Sequence, residues 1–215
     1  MPAYKLAIFD WDGTLMDSVA HIVDSMQQAA QLLGEPVPSV SAVRHIIGLG
    51  LPEAIALLFP NASISTREEI RQQYAKHFLA HSASKSELFT GAQSLLDQLQ
   101  QQGYLLAIAT GKSRLGLDRV LSQTGIGHYF VATRCADETA SKPDPLMLRQ
   151  LLAYTGSSAE QSVMIGDTSY DMEMAQALDM PRIAVSYGVH SKDMLQSYQP
   201  LAIVDSIYQL QDYLI

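Results

Sequence analysis

Four aspartates stand where apolar runs of the chain break off. Asp10 and Asp12 follow Leu6-Ala7-Ile8-Phe9 in the segment Asp10-Trp11-Asp12-Gly13-Thr14, and Asp167 and Asp171 follow Ser162-Val163-Met164-Ile165 in Gly166-Asp167-Thr168-Ser169-Tyr170-Asp171. A third run, Tyr104 to Ala109, ends in Thr110-Gly111-Lys112-Ser113, and Lys142 precedes the helix leading to the Ser162 run. Short apolar runs bounded by Gly and polar residues read as buried strands, and the C-terminal ends of strands in open α/β sheets are where chemistry sits. Each segment alone also reads as an ordinary turn, because Asp and Gly favour turns.

Taken together, these segments would bring four carboxylates to one edge. Two like charges ~4 Å apart repel by about 4 kcal/mol at an effective dielectric of 20, so the cluster needs a cation to stay ionised. An all-oxygen set without His or Cys suits Mg²⁺, which keeps waters and bridges to phosphate. An anionic nucleophile, a hard cation, the Thr110 hydroxyl, the Lys142 ammonium and free backbone N–H groups together suit phosphoryl transfer through an aspartyl phosphate.

The elements that must position these groups are readable from periodicity. Ser18 to Leu33 has helical apolar spacing and stops at Gly34; Ser39 is placed to cap a short helix through Val43 and Ile46 that runs into Gly48-Leu49-Gly50. Pro52 to Phe59 reads as a helix, and Thr66-Arg67-Glu68-Glu69 fits a capping box opening a long polar one. No strand is expected between Leu15 and Ser86. Beyond Phe89, helices (Ala92 to Gln102, Leu115 to Gln123, Pro145 to Tyr154, Tyr170 to Leu178) alternate with strands (Tyr104 to Ala109, Tyr129 to Thr133, Ser162 to Ile165, Arg182 to Val185, Ala202 to Val204) before a final helix. This alternation predicts an α/β fold: a Rossmann-like parallel sheet core with helices on both faces, residues 1–14 and 90–215, interrupted by an all-helical cap domain, residues 15–89.

Composition narrows the partners. The 215 residues are 47% hydrophobic and 17% charged, with no apolar stretch of membrane-spanning length, and the formal charge of −8 opposes binding to nucleic acid or anionic lipid. The lone Cys135 makes no internal disulfide, and the start of the chain carries no secretory pattern, so a cytoplasmic protein is expected. Without a heptad seam, a monomer or weak dimer is expected.

Asp-x-Asp-Gly-Thr, the Thr-Gly after the second core strand, Lys142-Pro143-Asp144-Pro145 and Gly-Asp-x-x-x-Asp, in this order, resemble the haloacid dehalogenase-like superfamily, and most of all its phosphoglycolate-phosphatase-like branch with a helical cap. The likeness spans nearly the whole chain. It implies a Mg²⁺-dependent phosphatase acting on a small-molecule phosphate ester, phosphoglycolate or another phosphometabolite. By position, Asp10 would be the nucleophile and Asp12 the general acid and base. Asp10, the Asp12 main-chain carbonyl and Asp167 would hold the metal, Asp171 would orient the metal shell, and Thr110, Gly111 and Lys142 would bind the phosphoryl group. Gly111 departs from the Asn that many relatives carry, which leaves only a backbone N–H there.

Other readings compete. A phosphomutase would use the same core groups and differ in retaining the leaving group. A non-catalytic phosphate-sensing module would share the acidic strand ends but not the insert or Lys142. A dehalogenase needs no metal and no second acid, and a phosphonate hydrolase would need a cap lysine, for which only Lys76 and Lys85 are available. Arg44, His45 and Gly48 are candidates for contacting the leaving group, or an exposed arginine beside an ordinary turn. The insert's junctions, near Leu15 and near Ser86 to Thr90, would be hinges. Asp171 also suits the first turn of its helix. Ser113 reads as an N-cap, Trp11 as packing beside the site, Cys135 as inert, and His77 and His81 as solvated.

Overall fold

The computed structural model describes residues 4–85 and 87–215, with the side chains of 81–85 outside that description. In chain order its elements are β1 (Leu6–Phe9), β2 (Met16–Asp17), α1 (Val19–Leu32), α2 (Val40–Ile46), α3 (Leu51–Leu58), α4 (Ile64–Lys85), β3 (Glu87–Leu88), α5 (Ala92–Gln101) and β4 (Leu105–Thr110). They continue with α6 (Arg114–Thr124), β5 (Phe130–Cys135), α7 (Leu146–Thr155), β6 (Ser162–Gly166), α8 (Ser169–Gln176), β7 (Arg182–Val185), α9 (Lys192–Gln196), β8 (Ala202–Val204) and α10 (Gln211–Leu214).

Six strands form one parallel sheet in the order β5-β4-β1-β6-β7-β8. Because successive strand side chains point to opposite faces, Ala7, Phe9, Leu106, Ile108, Val163 and Ile165 pack against Leu95, Leu96 and Leu99 of α5 and Leu117 of α6. Their alternates Leu6, Ile8, Ala107, Ala109 and Met164 face Met147, Leu148 and Leu151 of α7 and Met174 of α8. Each such buried Leu or Met contributes about 1.5–3 kcal/mol relative to exposure. The result is the α/β sheet covered by helices on both sides. No helix among the described residues is long and apolar enough to cross a membrane.

Helices α1 to α4 share their own apolar cluster, in which Ile22, Val23 and Met26 meet Ile55, Ile70, Tyr74 and Phe78. This segment leaves and re-enters the chain through β2 and β3, which pair antiparallel, Met16 opposite Leu88 and Asp17 opposite Glu87. The expectation of no strand between Leu15 and Ser86 is therefore corrected at Met16–Asp17: two residues are too few for an alternating pattern. The long helix starts at Ile64 rather than Thr66. Ser63 is its cap, its Oγ accepting from Thr66 N at 3.1 Å, so the helix does not open on Thr66. The third core strand begins one residue late and runs on to Cys135, because Tyr129 belongs to a 3₁₀ turn and its hydroxyl is 2.5 Å from Asp97 Oδ1.

Candidate active site

The register of the sheet sets the site. Phe9, the last residue of β1, lies opposite Ile108 of β4 on one side and Ile165 of β6 on the other. Asp10 therefore emerges between the Ala109-Thr110 end and the Gly166-Asp167 end. Asp10, Thr110, Lys142, Asp167 and Asp171 are each at most 1% exposed, and Asp12 is 8% exposed.

Lys142 Nζ sits 2.6 Å from Asp10 Oδ1 and 2.6 Å from Asp171 Oδ1. Asp10, Asp167 and Asp171 each present a carboxylate oxygen within 4.8 Å of the other two. Most of the remaining oxygens are committed. Asp167 accepts from the Thr14 hydroxyl at 3.0 Å and Val189 N at 2.8 Å, and Asp171 Oδ2 from the Thr168 hydroxyl at 2.7 Å and Thr168 N at 3.1 Å. Asp10 Oδ2 is buried with no partner among the described residues. Three buried carboxylates against one ammonium leave two negative charges uncompensated, and unpaired buried charge is costly. Burial pushes the Asp10 carboxyl up to about 7; the Lys142 ammonium pulls the other way, and the Asp171 charge adds to the rise. Burial, then the charges of Asp10 and Asp171, raise Asp167 well above the usual carboxylate range. Burial opposes the Lys142 charge, but Asp10 and Asp171 outweigh it and hold the ammonium charged above its ordinary value. An all-oxygen donor set with a free oxygen and two surplus negative charges fits a hard divalent cation.

Gly13 supports this arrangement by two means. Its φ of +85° is the left-handed region, and a Cβ there would collide with the Asp167 carboxylate. Asp171 forms with Thr168 the capping box of α8, as its place in the first turn of that helix allowed, and it also binds Lys142.

The Asp12 carboxylate stands outside this cluster. Its Oδ1 accepts from Ser18 Oγ at 2.5 Å and pairs with Lys112 Nζ at 3.0 Å. Thr110 Oγ1 accepts from Lys112 N at 3.2 Å. Ser18 occupies the N-cap position of α1 without capping it, since its hydroxyl is spent on Asp12. Ser18 and Lys112 were not singled out from sequence. Lys112 lay inside the Thr110 motif and was legible there, whereas nothing in the spacing marks Ser18.

Asp10 and Asp12 line a cavity of about 180 Å³ between the sheet edge and the helical segment, together with Gly48, Gly111 and Lys112. The Gly48-Leu49 turn rests on Gly111 so closely that a Cβ at 111 would collide with both carbonyl oxygens. Of the three residues offered for the leaving group, only Gly48 is on this wall. Arg44 instead donates to Gly188 O at 2.9 Å and Val189 O at 3.2 Å, and lines a separate cavity with Asp17 and Tyr187. His45 stacks on His190 with centroids 5.5 Å apart, and its carbonyl accepts from the Tyr170 hydroxyl at 2.9 Å. Helix-end polar groups on α2 meet the core loop rather than the cavity, because α2 turns that face toward residues 188–190.

Among the remaining candidates, Ser113 caps α6, accepting from Gly116 N. Trp11 is fully buried, and burial pushes the Cys135 thiol up to about 12. His77 is half-buried, its Nδ1 3.2 Å from Ser25 Oγ, rather than solvated. His81, Lys85 and Ser86 fall outside the described side chains or residues.

The sequence matches the family described as haloacid dehalogenase-like hydrolase over residues 7–185. It is 31% identical over 215 residues to a phosphoglycolate phosphatase of Vibrio cholerae, covering 96% of this chain and 95% of that one. It is 33% identical to a protein of Dickeya dadantii named "probable phosphatase IndB", covering 95% and 91%. Among solved structures, a haloacid dehalogenase-like family hydrolase of Streptococcus pneumoniae superposes with a TM-score of 0.85 at 26% identity, covering 98% of each chain. The family match covers most of the chain, and the chain belongs to the haloacid dehalogenase-like hydrolases.

Proposed function

We propose that the protein is a Mg²⁺-dependent phosphatase that hydrolyses a small phosphomonoester through an aspartyl phosphate on Asp10. One observation carries the reading: a buried carboxylate with a free oxygen, Asp10, lines a cavity beside a second carboxylate, Asp12, held apart from it by Ser18 and Lys112. Its relatives named as phosphatases support the same class of reaction.

In this reading Asp10 attacks phosphorus, and the bond from phosphorus to the ester oxygen breaks as Asp12 hands that oxygen a proton. Asp12 then takes a proton from water as the water attacks the aspartyl phosphate, releasing phosphate and restoring Asp10. Lys142, fixed between Asp10 and Asp171, orients the nucleophile and offers positive charge to the phosphoryl oxygens. Thr110 and the Gly111 N–H would cradle the same oxygens. Magnesium, held by Asp10, Asp167 and the Asp12 main-chain carbonyl with Asp171 behind, would neutralise the surplus charge and polarise the phosphoryl group.

Residues 15–89 would act as a cap on the core of residues 1–14 and 90–215, pivoting at the β2–β3 pair. Its tip is latched by Gly50 N to Ser141 Oγ at 2.8 Å and by the Tyr170 hydroxyl to His45 O. Closure would exclude bulk water from the reaction. The test is phosphate release from a panel of phosphomonoesters by metal-stripped protein with and without added Mg²⁺. Metal-dependent release is expected, and undiminished release in excess EDTA would overturn the metal role.

A further inference from the structure

We infer that the alcohol released at this site is apolar, so that the substrate is the phosphomonoester of an aromatic or aliphatic alcohol rather than one bearing a carboxylate or several hydroxyls; this rests on the phosphatase reading above. The cavity that begins at Asp10 and Asp12 is walled on the cap side by side chains such as Ile22, Met26, Ile46, Phe78 and Leu79. No described cap residue on that wall is charged, and Tyr74 brings its one polar side-chain group. Burial, reinforced by the Asp12 charge, raises the Tyr74 hydroxyl above its ordinary value, so it stays neutral. The core side adds the apolar Leu115 and Val120.

The cations of the lining all stand on the core side. Lys112 is paired with Asp12 at 3.0 Å and lies over the Phe78 ring at 4.9 Å from its centroid, so Phe78 covers the ammonium and removes it from water. Arg119 is the other. The arginine on the cap closest in sequence to the cavity, Arg44, is bound to Gly188 and Val189 on the far side. A carboxylate or polyol leaving group seated against the cap wall would give up water for one partner there, the Tyr74 hydroxyl, since Arg119 and the Ser113 hydroxyl stand on the core side. An apolar group gains by the same burial.

Size agrees with this chemistry. A dry apolar cavity of about 150 Å³ takes up one benzene ring, and this one measures about 180 Å³. Because this volume includes the end at Asp10, Asp12 and Gly111 where the phosphoryl group would sit, the alcohol is at most one ring or a short chain. In the transfer, the phosphorus bond to this alcohol's oxygen breaks, the bond to the Asp10 carboxylate forms, and the alkoxide leaves protonated by Asp12 into an apolar chamber.

The test compares kcat/KM for benzyl phosphate, hexyl phosphate, 2-phosphoglycolate and glycerol 3-phosphate in saturating Mg²⁺. All four release alkyl alcohols, so differences report the wall rather than leaving-group chemistry. We expect the benzyl or hexyl ester to exceed the two polar esters by about tenfold or more, the scale on which apolar pockets discriminate. Leu79 is 41% exposed, so Leu79→Arg leaves folding intact while placing a cation on the wall. It should lower the benzyl-to-phosphoglycolate ratio by about tenfold. Ample turnover with 2-phosphoglycolate or glycerol phosphate preferred in the unmodified protein would overturn the apolar class and leave the phosphatase reading standing. No turnover of any ester would overturn both.

Discussion

Lys112 Nζ lies 3.0 Å from Asp12 Oδ1, so the carboxylate proposed to move protons is held by an ammonium from the neighbouring strand end. The pair joins two loops of the sheet edge, and the Ser18 hydroxyl on the same oxygen fixes the rotamer from the cap side. Lys112→Met should lower kcat/KM for alkyl phosphates about tenfold, the lower range for a misplaced acid–base group. Lys112→Arg should recover most of that loss by restoring charge. Steady-state kinetics on the two variants decide it; unchanged kinetics in the Met variant would remove the pair from the mechanism.

Asp10→Asn and Asp12→Asn should fail differently. The first removes the nucleophile and should leave no turnover with any ester. The second loses proton transfer but keeps the nucleophile and the main-chain carbonyl assigned to the metal. With nitrophenyl phosphate, whose leaving group departs as a stable anion, it should give a rapid burst no larger than the enzyme concentration and then stall. Rapid-mixing absorbance measures this, and steady turnover near the unmodified rate would take the acid–base role away from Asp12.

Metal binding and stability should be linked through pH. Asp10 is raised from 3.8 to about 7, chiefly by burial, so the folded, metal-free chain binds protons more readily than the unfolded one in that interval. Stability of the metal-free protein contributed by this group therefore falls as pH rises from about 4 to about 7. A divalent cation needs the ionised carboxylate and displaces that proton. Added Mg²⁺ at about a hundred times its dissociation constant should raise Tm by about 5–10 °C at pH 8, and much less at pH 5.5. Thermal unfolding at the two pH values checks it; an equal rise at both would contradict the linkage.

Arg44→Ala should act on the cap rather than on substrate choice. The side chain donates to two backbone carbonyls of residues 188 and 189, and charge-assisted hydrogen bonds of this kind contribute about 1.5–3 kcal/mol. Their loss should weaken cap seating and reduce kcat/KM by a similar factor for every ester tested. A change confined to one ester would return Arg44 to substrate contact.

Gly111→Asn should impair closure. A side chain at 111 meets the carbonyl oxygens of Gly48 and Leu49, so the turn must lift. We expect kcat to fall across all substrates and proteolysis within residues 15–89 to quicken, while Asp10 is still phosphorylated by nitrophenyl phosphate. Unchanged protection from protease would show that the turn accommodates the larger residue.

The acidic strand ends, the alternation of helix and strand and the interposed helical segment were legible in the sequence, because each is set by local spacing: apolar runs of strand length, turn residues at their ends, and 3.6-residue periodicity between them. Short elements were not. Met16–Asp17 forms a strand only because Glu87–Leu88 comes alongside it, a pairing across some seventy residues. The choice of Ser63 over Thr66 as cap followed from where the helix starts, at Ile64, which puts the free N–H of Thr66 within reach of the Ser63 hydroxyl. Tertiary structure alone decided the electrostatics: that Lys142 serves Asp10 and Asp171 at once, that Asp12 turns away to Ser18 and Lys112, and that Arg44 faces the core loop. Side-chain direction depends on what packs against each element from distant parts of the chain, and spacing within an element carries no record of it.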